Sequence, residues 1–200
     1  MNEERENPPV LRLASASPRR RQLLELIGVP HVVTPADIDE TPRAGEPAGD
    51  YVVRLAREKA EAAWSRHQDL PVLAADTTVV VDGEILGKPE SADDAYSMLR
   101  KLSGRAHFVH TGIALRTSHG LADDMSTTDV EFGELTDEMI RAYWDSGEPQ
   151  GKAGSYAIQG LGAVFVSDIS GSYTGVMGLP LFETAELLRY HGIRVWRGKV

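Results

Sequence analysis

The sequence predicts an α/β fold organised around one mixed β-sheet. Three observations carry this. Strand-like and helix-like stretches alternate through the 200 residues, a hairpin signal falls at Asp82-Gly83, and Pro71 to Ala75 forms a short apolar run of the buried-strand type. Alternation alone favours parallel strands. The hairpin adds antiparallel neighbours, so the sheet is mixed.

Taken in order, Val10 to Ala14 is a mostly apolar strand that Ser15-Ala16-Ser17-Pro18 ends. Ser17 suits an N-cap and Pro18 the first helical position, where a missing N–H costs nothing. Leu23, Leu24 and Ile27 mark the apolar face of that helix, and Gly28 stops it. Residues 35–49, rich in Pro, Gly and acids, form a surface loop. A helix from about Asp50 to Arg66 follows, with Val52, Ala56, Ala60 and Ala63 on one stripe. After the run that ends at Asp76, Thr77 to Val81 stays extended and returns through Glu84-Ile85-Leu86. Ser91 and Asp94 approximate a capping box ahead of Ala95, Met98, Leu99 and Leu102, which have helical spacing. Phe108 to Leu115 and Met125 to Phe132 are strands, and Thr136 opens a helix that Gly147 closes. Ala163 to Ile169 is another strand, and Leu181 to Tyr190 a final helix. Residues 1–9 are a polar tail, and residues 10–200 are expected to form one domain.

Composition narrows the function classes. With 42% hydrophobic and 26% charged residues the chain is an ordinary globular protein. It has no cysteine, which excludes a disulfide scaffold, a thiolate metal site and a thiol nucleophile, and suits a reducing compartment. The formal charge is −9, with the acid excess spread over both halves and no basic stripe, so nucleic acid is not an expected partner. Met1 to Pro9 lacks the apolar centre of a signal peptide, and no apolar run is long enough to span a membrane. A cytoplasmic protein is the expectation.

Several residues carry a choice between chemistry and plain structure. Arg19-Arg20-Arg21 sits in the first turn of a helix, where the macrodipole disfavours cations unless an anion joins them. With the Ser-Ala-Ser loop and the free N–H groups of the helix start, it makes either a phosphate cradle or a solvated patch paired with acids such as Glu25. Asp76 follows a buried strand, where open α/β sheets place ligands; it is a metal-binding or water-activating carboxylate, or a turn residue. Lys59 falls on the apolar stripe of its helix and either snorkels to water or enters a cleft. Lys88, in Gly87-Lys88-Pro89, is a lysine on a constrained turn, functional or merely exposed. Asp37, Asp39 and Glu40 are acids in the first loop, ligands or solvated. Lys152 to Gly160 surrounds one amide, Gln159, with small residues that allow close approach of a planar ligand or form a tight turn. The histidines lack ligand spacing.

These features together resemble the Maf family of nucleoside triphosphate pyrophosphatases. The resemblance runs from about Leu11 to Gly192. It rests on six stretches in order: Leu13-Ala14-Ser15-Ala16-Ser17-Pro18-Arg19-Arg20, Leu55-Ala56-Arg57-Glu58-Lys59-Ala60, Ala75-Asp76-Thr77, Leu86-Gly87-Lys88-Pro89, Lys152-Ala153-Gly154-Ser155-Tyr156-Ala157-Ile158-Gln159-Gly160 and Gly178-Leu179-Pro180. Gly151 departs from the pattern, since many relatives carry an acid there. The resemblance implies an inosine-triphosphatase-like (Maf/Ham1) fold, elongated and two-lobed with a central cleft. It also implies hydrolysis of a nucleoside triphosphate to the monophosphate and pyrophosphate, assisted by Mg²⁺ or Mn²⁺, in the branch acting on dTTP and UTP.

Under that resemblance, Asp76, Lys59 and Lys88 are the catalytic residues, and Asp76 with Glu40 holds the metal. Ser15, Arg19 and Arg20 bind phosphate oxygens, while Thr77 and Gln159 meet the pyrimidine edge. A homodimer is compatible with it. Two competing readings are a nucleotide-binding regulator of cell division without turnover and a house-cleaning enzyme for a modified pyrimidine triphosphate.

Overall fold

The computed structural model describes residues 8–196. Most of the expected polar tail and the last four residues therefore lie outside the described residues. Seven strands, β1 (Leu11–Leu13), β2 (His31–Val33), β3 (Val72–Val81), β4 (Glu84–Leu86), β5 (Ala106–Thr117), β6 (Gly120–Phe132) and β7 (Val166–Ser170), form one sheet. Its order is β2-β1-β3-β5-β6-β7, with β4 paired to β3. The β2-β1-β3 pairs are parallel and the rest antiparallel, so the sheet is mixed as expected.

Six helices accompany it: α1 (Pro18–Leu26), α2 (Ala48–Trp64), α3 (Ala92–Leu102), α4 (Asp137–Asp145), α5 (Tyr173–Val176) and α6 (Leu181–Tyr190). Ser17, Ser91 and Thr136 each cap their helix by accepting a backbone N–H, as their positions predict. None is long and apolar enough to cross a membrane, among the described residues. The expected strand at Ala163 begins three residues later, because Leu161–Phe165 winds into a 3₁₀ turn. The Glu148 carboxylate accepts the N–H groups of Leu161 and Gly162, drawing the backbone out of an extended path.

The central strand β3 is asymmetric along its length. One edge is paired to β5 continuously from Val72 to Val80. The other is paired to β1 only at Val72 and Leu73, then to β4 only at Val79 to Val81. Between them that edge has no strand partner among the described residues. Two cores mirror this division. Leu73 and Ala75 pack with Leu11, Leu13, Leu23, Leu24 and Leu188, whereas Val79 and Val81 pack with Leu99, Leu102, Phe132, Tyr143 and Phe165. These residues share one face of β3, and Thr77 lies on that face between the two cores. The opposite face carries Val72, Ala74 and Asp76, over which the alanine stripe of α2 packs.

Gly112 permits that packing. A Cβ there would lie 2.7 Å from the backbone carbonyl atoms of Val52 in α2, a contact that no side-chain rotation relieves. Gly112→Ala is expected to cost about 2–3 kcal/mol through overpacking. For a protein of this size that lowers the melting temperature by about 4–12 °C, readable in a thermal scan.

His107 is 2% exposed and bonds through Nε2 to the Tyr156 hydroxyl at 2.9 Å. Burial pushes its pKa down to about 4 from an ordinary 6.5. The unfolded chain therefore binds a proton that the folded chain refuses, and stability falls as pH drops from 6.5 to about 4. His107→Gln, which retains a hydrogen-bonding side chain but does not titrate, should melt with a shallower pH dependence over that interval.

Candidate functional site

The break in β3 pairing opens into a cleft of about 610 Å³. Its walls come from residues 14–20, the first loop, α2, the middle of β3, the turn at Gly87-Lys88, residues 151–156 and residues 176–178. Of the nine site residues expected from sequence, Ser15, Arg19, Arg20, Glu40, Lys59, Asp76, Thr77 and Lys88 line this one cavity. They come together from five separate stretches of chain.

At its centre is an ion cluster. The Lys59 ammonium lies 2.6 Å from Asp76 Oδ1 and 2.7 Å from Glu40 Oε1, and Lys88 Nζ is 3.8 Å from Glu40 Oε2. Lys59 and Asp76 are both buried. Lys59 thus enters the cleft rather than snorkelling: the stripe of α2 lies against the face of β3 that bears Asp76, so the two side chains meet. Burial opposes ionisation of Glu40, but the Lys59 hydrogen bond and the charges of Lys59, Lys88 and Arg20 outweigh it and hold its carboxyl below the usual range. Of the other loop acids, Asp39 caps the Thr41 N–H, and Asp37 is exposed.

Sequence reasoning did not find what holds Glu40. The Tyr51 hydroxyl donates to the Glu40 carbonyl at 2.9 Å, and Arg54 reaches the Thr41 carbonyl and both oxygens of Glu46. Tyr51, Leu55 and Lys59 are spaced four apart on α2, and that spacing was the signal available. Burial pushes the Tyr51 hydroxyl up to about 12, with Asp76 and Glu40 adding to the shift. It stays protonated and keeps donating.

Across the cleft, Arg20 donates from Nε to the Gly178 carbonyl (2.7 Å), from Nη1 to Ser15 Oγ (3.1 Å) and from Nη2 to Thr77 Oγ1 (3.2 Å). A guanidinium has five donors, so two remain for an anion. Ser15 Oγ also accepts the Ser17 N–H, which leaves its own hydrogen free to donate. Arg19 and Lys152 add charge on the far wall. Burial lowers the pKa of both, their mutual repulsion lowers that of Lys152 further, and Glu148 draws both upward. Lys152 is a further cleft residue, one to which no sequence pattern assigns a role. Arg21 is not part of the cleft and pairs with Glu25, so the solvated-patch reading holds for that residue.

Gln159, expected to meet the pyrimidine edge, is not brought together with the other eight. It is exposed and is not part of the cleft wall, because Tyr156, Ala157 and Ile158 take the buried positions and Glu148 ties the following turn to the end of α4. Tyr156 of the same segment lines the cleft instead.

For a metal, the donors are two carboxylates, Asp76 and Glu40, which share Lys59. Among the described residues no group of three His, Asp or Glu side chains converges. Hard oxygen donors of this kind suit Mg²⁺ or Mn²⁺, which take one or two carboxylates and fill their remaining positions with phosphate oxygens and water.

Comparison with known proteins gives a consistent result. The profile of the family described as Maf-like protein matches residues 10–191. The dTTP/UTP pyrophosphatase of Bordetella parapertussis is 57% identical over 198 residues, covering 94% of this chain and 96% of the relative. Those of Methylobacillus flagellatus and Hahella chejuensis are 55% and 50% identical, each covering 92% of this chain and 93% of the relative. Among solved structures, the Staphylococcus aureus Ham1 protein is similar at 19% identity and a TM-score of 0.46, over 61% of this chain and 71% of that one.

Proposed function

We propose that this chain, which belongs to the Maf family, is a nucleoside triphosphate pyrophosphatase that converts dTTP and UTP to the monophosphate and pyrophosphate. The observation that carries the reading is the buried Asp76–Lys59 pair, joined by the more exposed Glu40, in a cleft whose other wall presents Arg19, Arg20 and Ser15.

The chemistry divides among these residues. The oxygen of a water bonds to the α-phosphorus, the bond to the α–β bridging oxygen breaks, and its electron pair leaves with pyrophosphate. Asp76 takes the proton of the attacking water. Lys59 orients Asp76 through the 2.6 Å contact and, with Lys88, Arg19 and Arg20, compensates charge that builds on the phosphate oxygens. Ser15 donates its free hydrogen to one of those oxygens. Asp76 and Glu40 would hold a Mg²⁺ or Mn²⁺ ion, whose contribution when bound is to polarise the phosphoryl group.

The test is pyrophosphate release from a panel of nucleoside triphosphates with Mg²⁺ and with Mn²⁺. Release from dTTP and UTP ahead of CTP, ATP and GTP supports the reading. Binding without release would favour a nucleotide-sensing role instead.

A further inference from the structure

Of the hydroxyls that line the cleft, those of Ser15 and Thr77 have hydrogen-bond partners that give them opposite polarity. Ser15 Oγ accepts twice and has a hydrogen left over. Thr77 is the reverse, for a reason that lies one strand away. Thr111 on β5 is the cross-strand partner of Thr77 and is 1% exposed. Its Oγ1 donates to the Gly175 carbonyl at 2.8 Å, a group that can only accept. A hydroxyl has one hydrogen. In the 3.0 Å contact between Thr77 Oγ1 and Thr111 Oγ1, Thr77 must therefore be the donor. Arg20 Nη2, which can only donate, delivers a hydrogen to Thr77 Oγ1 from the other side. The chain runs one way: Arg20 to Thr77, Thr77 to Thr111, Thr111 to Gly175. Thr77 is left with one lone pair and no hydrogen to give.

We propose that Thr111 is a positioning residue that fixes the Thr77 hydroxyl as an acceptor, so that the cleft selects a pyrimidine bearing an N3–H, uracil or thymine, over cytosine. The inference rests on the reading that this cleft hydrolyses dTTP and UTP and that Thr77 meets the base. A carbonyl or phosphate oxygen brings no hydrogen to that lone pair and would meet it lone pair to lone pair. The N3–H of uracil or thymine supplies the missing donor. Cytosine presents an unprotonated N3 there, and an unmatched buried acceptor pair lowers kcat/KM about tenfold or more. Without Thr111 Oγ1, the Thr77 hydrogen is free to turn into the cleft and offer cytosine N3 a donor.

The experiment measures kcat/KM for UTP and CTP, by pyrophosphate release, in the parent, Thr77→Val, Thr111→Val and Thr111→Ser, with a thermal melt of each. The expected result is a parental preference for UTP that Thr77→Val abolishes. Thr111→Val should reduce it about fivefold or more, by raising CTP turnover relative to UTP, and Thr111→Ser should restore it. Thr111→Ala makes the same polar deletion without the extra methyl, and it replaces the valine variant should that one not fold. If Thr77→Val abolishes the preference while Thr111→Val and Thr111→Ala keep it, Thr111 is structural and the inference is overturned, with the reading of Thr77 intact. If Thr77→Val leaves the preference unchanged, Thr77 does not meet the base and both are overturned. A lower melting temperature in the Thr111 variants with a parental UTP to CTP ratio also overturns it.

Discussion

Asp76→Asn is expected to lower turnover at least about 100-fold while the protein still folds. The substitution keeps the shape of the side chain and a hydrogen-bonding oxygen near Lys59, but removes the charge that accepts the proton. The fold tolerates it because Lys59 retains Glu40, 2.7 Å away, as its counter-ion. Steady-state kinetics on purified protein beside a thermal melt are the measurement. Near-parental turnover in a well-folded Asn variant would remove Asp76 from the reaction.

Lys59→Met should be more damaging, because it acts on both activity and stability. It removes a cation that compensates the transition state and leaves two carboxylates, each within 2.7 Å of the missing nitrogen, to face one another. Stranding one side of a buried ion pair costs about 3–5 kcal/mol, so melting should fall by about 6–20 °C. Turnover should fall about 100-fold or more. The pH dependence supplies a check that simple misfolding does not. In the parent, Glu40 has a lowered pKa, so its contribution is present above the ordinary carboxylate range and is lost as pH falls. In the variant, repulsion from Asp76 raises the Glu40 pKa, so the penalty is relieved as pH falls from 7 toward 5. The melting deficit of Lys59→Met relative to the parent should therefore shrink on mild acidification. A deficit that is constant across that range would show that the two acids do not repel in its absence.

Much of this arrangement could be read from the chain. The caps at Ser17, Ser91 and Thr136 and the hairpin at Asp82-Gly83 depend on bonds only a few residues apart, and all form where the sequence places them. The helix at Leu181–Tyr190 was also legible, from its apolar spacing. The strand β2 and the helix α5, three and four residues long, are too short to show a period, and they form because β1 and the β5–β6 hairpin offer them partners. The site divides along the same line. Lys59 was ambiguous because its stripe says which face it occupies but not that an acid waits beneath it. For Gln159, the small neighbours suggest close approach without showing what approaches, and the residue lies outside the cleft wall. Glu148, fifteen residues from Ala163, decides where that segment goes, and no local pattern announces the contact. Thr77 and Thr111 are a cross-strand pair whose polarity depends on Arg20 and Gly175, neither of them on the sheet.

The bond from Arg20 to the Gly178 carbonyl spans 158 residues of chain. On a ribosome adding about 5–20 residues per second, Arg20 is made about 8 to 32 s before its partner exists. Throughout that interval the first helix presents a guanidinium without its main-chain acceptor, and until residue 175 is made Thr77 lacks the Gly175 carbonyl that terminates its hydrogen-bond chain. A nascent chain therefore holds most of the residues of the cleft well before it holds the cleft. The arginine wall of the cleft thus reaches its bonded arrangement only once residue 178 has been made.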